Sequence, residues 1–197
     1  MIKAVIFDAD GVIIHKTKYF SKHLHDEFGI PTEKILAFFE GEFLDCLVGK
    51  KDLKKILPKY LKEWGLGKSV EGLLEYWFNK EKELDQELID YISELKNNKI
   101  FVYIGTNNEK YRTEHIRSEI GLEKIFHKVY GSGDIGYKKP DHNFFKHILN
   151  EEKLEKREVL FWDDKEENVD AARKFGIRAE VYANFEDFKK KMTQYLS

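Results

Sequence analysis

Five short apolar runs, most of them ending on polar residues, constrain the fold of this chain more than any other feature. They are "KAVIFDAD" (3–10), "KIFVYIGT" (99–106), "HKVYGS" (127–132), "EVLFWDD" (158–164) and "RAEVYA" (178–183). Runs this continuous, rich in Val, Ile, Phe and Tyr, suit strands covered on both faces. Between the later runs lie helical patterns, "EKYRTEHIRSEIG", "DHNFFKHILNEE" and "EENVDAARKFG". Strands alternating with helices predict an α/β fold with a parallel sheet and right-handed crossovers.

Residues 15–81 interrupt that rhythm. "TKYFSKHLHDEFG", "TEKILAFFEGEFLDCL", "KKDLKKILPKYLKEWG" and "SVEGLLEYWFNKEKEL" follow one another as amphipathic helical segments with no strand between them. Turn residues at Gly29-Ile30-Pro31, Gly49 and Gly65-Leu66-Gly67 divide them. The expectation is a core of residues 1–14 and 82–197 carrying a helical insert over 15–81, with "DQELIDYISELKNN" leading back into the second strand. A chain of 197 residues has room for one such core and a small insert.

A parallel sheet presents the carboxyl ends of its strands on one edge, where ligands bind. At that edge the chain places Asp8, Asp10 and Gly11, then Gly105, Thr106, Asn107 and Asn108, then Lys138, Lys139 and Pro140, and finally Asp163 and Asp164. A carboxylate beside buried surface is unfavourable by several kcal/mol unless a cation or hydrogen bonds compensate it. Clustered carboxylates suit a hard divalent cation such as Mg2+, and Asp8, Asp10, Asp163 and Asp164 are the candidate ligands. Thr106 offers a hydroxyl and neighbouring N–H groups to an anion. Asn107 either adds an N–H to a phosphate or shapes the turn. Pro is favoured in the first helical turn, so Lys139 is expected at the positive end of a helix dipole, a place that suits a cation only with an anion between them. The set describes phosphoryl transfer to a carboxylate. Asp8 is the candidate nucleophile and Asp10 the group that protonates the leaving oxygen and then activates water, with Thr106 and Lys139 offsetting phosphoryl charge.

"DADGVI", "YIGTNN", "GYKKPDHNFF" and "FWDDKEENVDAARKFG" resemble, in order, the four motifs of the haloacid dehalogenase-like hydrolase superfamily, over the whole chain. The resemblance implies a doubly wound, Rossmann-like core with an α-helical cap inserted between motifs one and two. It implies Asp8 as nucleophile, Asp10 as acid and base whose backbone carbonyl also binds Mg2+, Thr106 and Lys139 as phosphoryl ligands, and Asp163 as metal ligand assisted by Asp164. The fourth motif, "DDxxxN" through Asn168, resembles a branch containing sugar-phosphate phosphatases. Dehalogenases of the superfamily lack the second aspartate of motif one, so Asp10 argues for phosphate chemistry. The expected activity is a Mg2+-dependent phosphatase acting on a small phosphorylated metabolite, with sugar phosphates among the candidates. A phosphomutase of the β-phosphoglucomutase type and a non-catalytic, phospholigand-binding regulator stand as alternatives.

Other readings of the same residues fit less well. An EF-hand opened by Asp8 would need a glutamate where Tyr19 stands. A formal net charge of -2 does not point to nucleic acid or an anionic membrane. No leader or spanning segment is visible, so a cytoplasmic location is expected. Cys46, the single cysteine, sits in apolar "FLDCLVG" and reads as packing. His23 and His25, two apart on a helix, lie on different sides and are not expected to share a metal. Trp64, Tyr76, Trp77 and Phe78 read first as core and second as the floor of a substrate pocket.

Overall fold

The computed structural model describes residues 1–15 and 18–196; Lys16 and Thr17, at the start of the expected insert, lie outside it, as does Ser197. The order of elements is β1 (Ala4–Phe7), α1 (Phe20–Phe28), α2 (Thr32–Phe39), α3 (Glu42–Cys46), α4 (Leu53–Glu63), α5 (Val70–Lys80) and α6 (Gln86–Asn97). Then come β2 (Phe101–Thr106), α7 (Lys110–Arg117), β3 (Lys128–Gly131), α8 (Ser132–Ile135), α9 (His142–Glu152), β4 (Val159–Asp163), α10 (Glu166–Phe175), β5 (Arg178–Val181) and α11 (Phe185–Leu196). All five expected strands form, and every pairing is parallel, in the order β3-β2-β1-β4-β5. The chain winds outward from β1 in both directions, so a crevice opens at the carboxyl end of β1, where Asp8 follows.

Alternation along the strands sends Val5, Phe7, Val102, Ile104, Leu160 and Trp162 into one layer, packed on Leu88 and Ile92 of α6 and Phe188 of α11. Ala4, Ile6, Tyr103 and Phe161 enter the other layer, against Phe144 and Ile148 of α9 and Val169 of α10. Both faces are covered, which is why these strands read as unbroken apolar runs.

Helices α1 to α5 gather a separate core that includes Leu24, Ile35, Phe38, Leu57, Trp64 and Leu73. The run at 32–47, expected as one helix, is divided between α2 and α3 at Gly41. A Cβ there would stand 2.3 Å from the Ala37 carbonyl oxygen, so only glycine lets the chain turn this close to the preceding helical turn. The chain leaves and re-enters the sheet region through an antiparallel bridge between Ile14 and Leu84. His15 N–H donates to Glu83 O at 2.7 Å and Asp85 N–H to Ile13 O at 2.9 Å. The helices also contact α7: Asp52, which caps α4, accepts from Lys110 Nζ at 2.8 Å and from the Tyr111 hydroxyl at 3.0 Å. Among the described residues, no helix is long and apolar enough to cross a membrane.

Candidate active site

The sheet places Asp8 one residue beyond β1, and its N–H continues the ladder to Trp162 O at 2.8 Å. The chain then doubles back. Gly11 adopts φ +96°, its N–H reaches Ile14 O at 2.8 Å, and Ile14 N–H returns to Ala9 O at 2.8 Å. Gly11 is needed a second time, because a Cβ on it would lie 2.5 Å from Asp164 Oδ2. The end of β1 is thus pressed against the end of β4.

Lys139 joins those two ends. Its side chain is fully buried, and Nζ lies 2.8 Å from Asp8 Oδ1 and 2.6 Å from Asp163 Oδ2. Asp8 Oδ1 also accepts from Ala9 N–H at 2.8 Å, which fixes the rotation of that carboxylate. Asp163 is held more fully still. Oδ1 accepts from Lys165 N–H at 2.9 Å and Asn168 Nδ2 at 3.0 Å, and Oδ2 adds Asn168 at 3.1 Å to its bond with the lysine. Burial pushes Asp8 up to about 7, opposed by the Lys139 ammonium and reinforced by Asp163. Burial works against the charge on Lys139, but Asp8 and Asp163 together outweigh it and hold the ammonium protonated above its ordinary range.

The position of Lys139 differs from expectation. Pro140 precedes α9 and does not open it; the cap is Asp141, whose carboxylate accepts from Asn143 N–H at 2.8 Å. The first turn of α9 is therefore not what seats the lysine, whose charge is offset by Asp8 and Asp163. Asn107 holds it instead: its side-chain amide donates to Lys139 O and accepts from Lys139 N–H, both at 2.8 Å. Of the two roles open to Asn107, shaping local structure is visible, and it acts on the lysine segment more than on its own turn.

Thr106, the last residue of β2, is buried, and its Oγ1 accepts from Asn108 Nδ2 at 2.8 Å. The same Asn108 amide donates to Asp10 Oδ2 at 2.7 Å. Asp10 Oδ1 receives Arg112 Nη2 at 3.1 Å. Arg112 is itself buried on α7 and donates to the carbonyls of Phe78, at 3.4 Å, and Glu81, where α5 ends. The sequence places Asn108 at this edge without a role, and it does not single out Arg112. The signal for Arg112 was its place four residues before buried Ile116, on the apolar face of its helix.

One carboxylate oxygen from each of Asp8, Asp163 and Asp164 lies within 4.8 Å of the others. Three hard oxygen donors at that separation fit a small divalent cation. Cys46 is buried in the helical core, and burial pushes its thiol up to about 12, which leaves no thiolate at neutral pH. His23 and His25 turn to separate partners, Glu27 and the Ile30 carbonyl.

A family profile described as haloacid dehalogenase-like hydrolase matches residues 5–181. Among curated proteins, the chain is 31% identical over 93 residues to a sesquiterpene phosphatase of Aspergillus oryzae, covering 47% of each. It is 28% identical over 113 residues to a drimenol cyclase of Aspergillus calidoustus, covering 56% of this chain but 21% of that protein. The chain thus spans less than half the length of these two relatives. A D-ribitol-5-phosphate phosphatase of Bacteroides thetaiotaomicron is 22% identical over 206 residues, covering 100% of both. A crystal structure from the same organism, in complex with magnesium and inorganic phosphate, has the same fold, with a TM-score of 0.79, 21% identity and coverage of 92% and 94% of the two chains.

Proposed function

The chain belongs to the haloacid dehalogenase-like hydrolases, and from that footing we propose that it is a Mg2+-dependent phosphomonoester hydrolase acting on a small phosphorylated metabolite. The observation that carries the reading is the placement of Lys139 between Asp8 and Asp163, with Asp10 held beside Thr106 on the same edge. This arrangement supports Asp8 as nucleophile, Lys139 and Thr106 as anion ligands and Asp10 as general acid at one sheet edge. Two relatives bear phosphatase names and a structural neighbour binds magnesium with phosphate, which supports the same reading.

In this reading Asp8 attacks phosphorus through Oδ2, since Oδ1 is held by Ala9 N–H and Lys139. The bond from phosphorus to the ester oxygen breaks as the new acyl-phosphate bond forms. Asp10 delivers a proton to the departing oxygen, releasing an alcohol. Ionised Asp10 next takes a proton from water, the hydroxide adds to phosphorus as the bond from phosphorus to the Asp8 oxygen breaks, and the Asp8 carboxylate is regenerated with release of inorganic phosphate. Lys139 and the Thr106 hydroxyl offset charge on the transferring oxygens throughout. Mg2+, when bound, would supply further charge neutralisation and orientation of the phosphate.

Asp8, Asp163 and Asp164, each bringing one oxygen to within 4.8 Å of the others, would hold the metal with the Asp10 carbonyl, and Asp163, bound as well by Lys139, Asn168 and Lys165 N–H, also positions the lysine. Residues 15–81 are proposed as the cap and residues 1–14 and 82–197 as the catalytic core. The test is release of inorganic phosphate from a generic aryl phosphate, with Mg2+ or with a chelator, by wild type and Asp8→Asn. Turnover that needs the metal and is abolished in the variant is expected; turnover that survives Asp8→Asn excludes the covalent route.

A further inference from the structure

A cavity of about 280 Å3 opens from Asp10, Asn107 and Asn108 toward the helical insert. Its wall carries Phe20, Leu36, Phe39, Phe43, Leu47 and Trp77. Building on the phosphatase reading, we propose that the ester cleaved here has an apolar leaving group, an aliphatic or aromatic chain in place of a sugar or polyol.

The wall is preformed and made of ring surface. Phe20 and Trp77 stack with centroids 4.5 Å apart and planes 5° from parallel. Phe39 meets Trp77 edge-on at 5.6 Å, and Phe43 lies 5.5 Å from the same ring. The indole N–H of Trp77 already donates to Glu81 Oε2 at 3.0 Å, so what the residue offers a ligand is its carbon face. Beyond the catalytic edge and Glu81, Tyr19 and Ser21 are the polar side chains that the described residues add to this lining.

A polyol carries a hydroxyl on nearly every carbon, and each one moved from water to a hydrocarbon wall without a partner weakens binding. A methylene moved to the same wall strengthens it. Asp10, Asn107 and Asn108 line the cavity on the catalytic edge, where the ester oxygen would sit, and the insert supplies six apolar side chains against three polar ones, Tyr19, Ser21 and Glu81. That lining matches a molecule with a charged head and a hydrocarbon tail. The volume is on the order of nine waters at about 30 Å3 each, room for a chain of several carbons.

The test compares kcat/KM, with Mg2+, for straight-chain alkyl monophosphates of increasing length and for polyol monophosphates of matched length. A rise of roughly three- to fivefold per added methylene is expected until the cavity is filled, with each polyol ester at least tenfold below its alkyl counterpart. Leu36→Asn is expected to flatten the gradient. A second measurement needs no turnover: an octylphosphonate should change the tryptophan fluorescence of the protein saturably, because Trp77 lines the cavity, and ribitol 5-phosphate at equal concentration should change it less. A flat chain-length profile or a preference for polyol esters overturns the inference and leaves the phosphatase reading standing. No phosphate release from any ester, with saturable phosphonate binding, overturns the phosphatase reading and supports the apolar site. Neither release nor binding overturns both.

Discussion

Glu109→Gln probes the support of Asp10, the proposed general acid, and its effect on stability reverses with pH. Glu109 caps α7 between Asn108 and Arg112, the two residues that grip Asp10, and its oxygens accept from Arg112 N–H at 2.6 Å and Tyr111 N–H at 2.8 Å. Burial nonetheless raises its carboxyl from 4.5 to about 7, against the pull of those bonds. A group whose pKa is higher in the folded state holds its proton more tightly there, so its contribution is full below 4.5 and is lost as pH rises through about 7. At about 1.36 kcal/mol per pH unit the change across that window is about 3 kcal/mol as an order of magnitude. Glutamine does not titrate, but its NH2 group must face one of the two backbone N–H groups. One cap bond is then lost, about 1 kcal/mol at every pH. Wild type is therefore expected to be the more stable protein near pH 4.5, and the variant the more stable by about 2 kcal/mol near pH 8. Urea unfolding at steps across this range, followed by tryptophan fluorescence, gives the difference directly. A difference that stays constant with pH refutes burial as the dominant influence on Glu109.

Three further outcomes follow from the site. Gly11→Ala must accommodate φ +96° and a Cβ 2.5 Å from Asp164 Oδ2; a rise of at least about tenfold in half-saturating Mg2+ is expected, together with about 1–2 kcal/mol lost stability from the left-handed backbone, read by metal titration of activity and by thermal melting. Asp164→Asn and Asp163→Asn should each raise half-saturating Mg2+ by about tenfold or more, and Asp163→Asn, which also removes one carboxylate from Lys139, should lower kcat as well; an unchanged metal requirement in either variant would remove that residue from the ligand set. Asp10→Ala should slow alkyl phosphates by about a hundredfold or more and activated aryl phosphates much less, since a good leaving group needs little protonation; equal losses in kcat would remove Asp10 from the role of acid.

The strands were legible because both faces of the sheet are covered and the three central strands end at polar residues, as in "AVIF" followed by Asp8. What escaped was decided by contacts between distant residues. Asp10 meets Asn108 and Arg112 across 98 and 102 residues of chain, and no local periodicity encodes a meeting at that separation. The division of the 32–47 run at Gly41 is equally hidden, since a glycine within a helical pattern is locally tolerated; only the approach to Ala37 O reveals the turn. Pro140 and Asp141 each carry a helix-start signal, and the side-chain cap of Asp141 prevailed over the proline. Asp163 and Asp164 differ by one position at a strand end, and the face each presents depends on how the following loop leaves the sheet.

The Ile14–Leu84 bridge bears on how the molecule assembles. β1 must find β2 across almost half of the chain, and a flexible loop of that length would burden the pairing with closure entropy. Once residues 13–15 and 83–85 are zipped together, the sheet experiences a short strand–helix–strand crossover through α6 in place of that loop, because the helices between them pack around their own apolar centre. The effective contact order of the β1–β2 pairing falls to that of neighbouring strands. The same closure frees residues beyond the bridge from the register of the sheet, so helices there can be lengthened, shortened or exchanged while Asp8 and Thr106 keep their places.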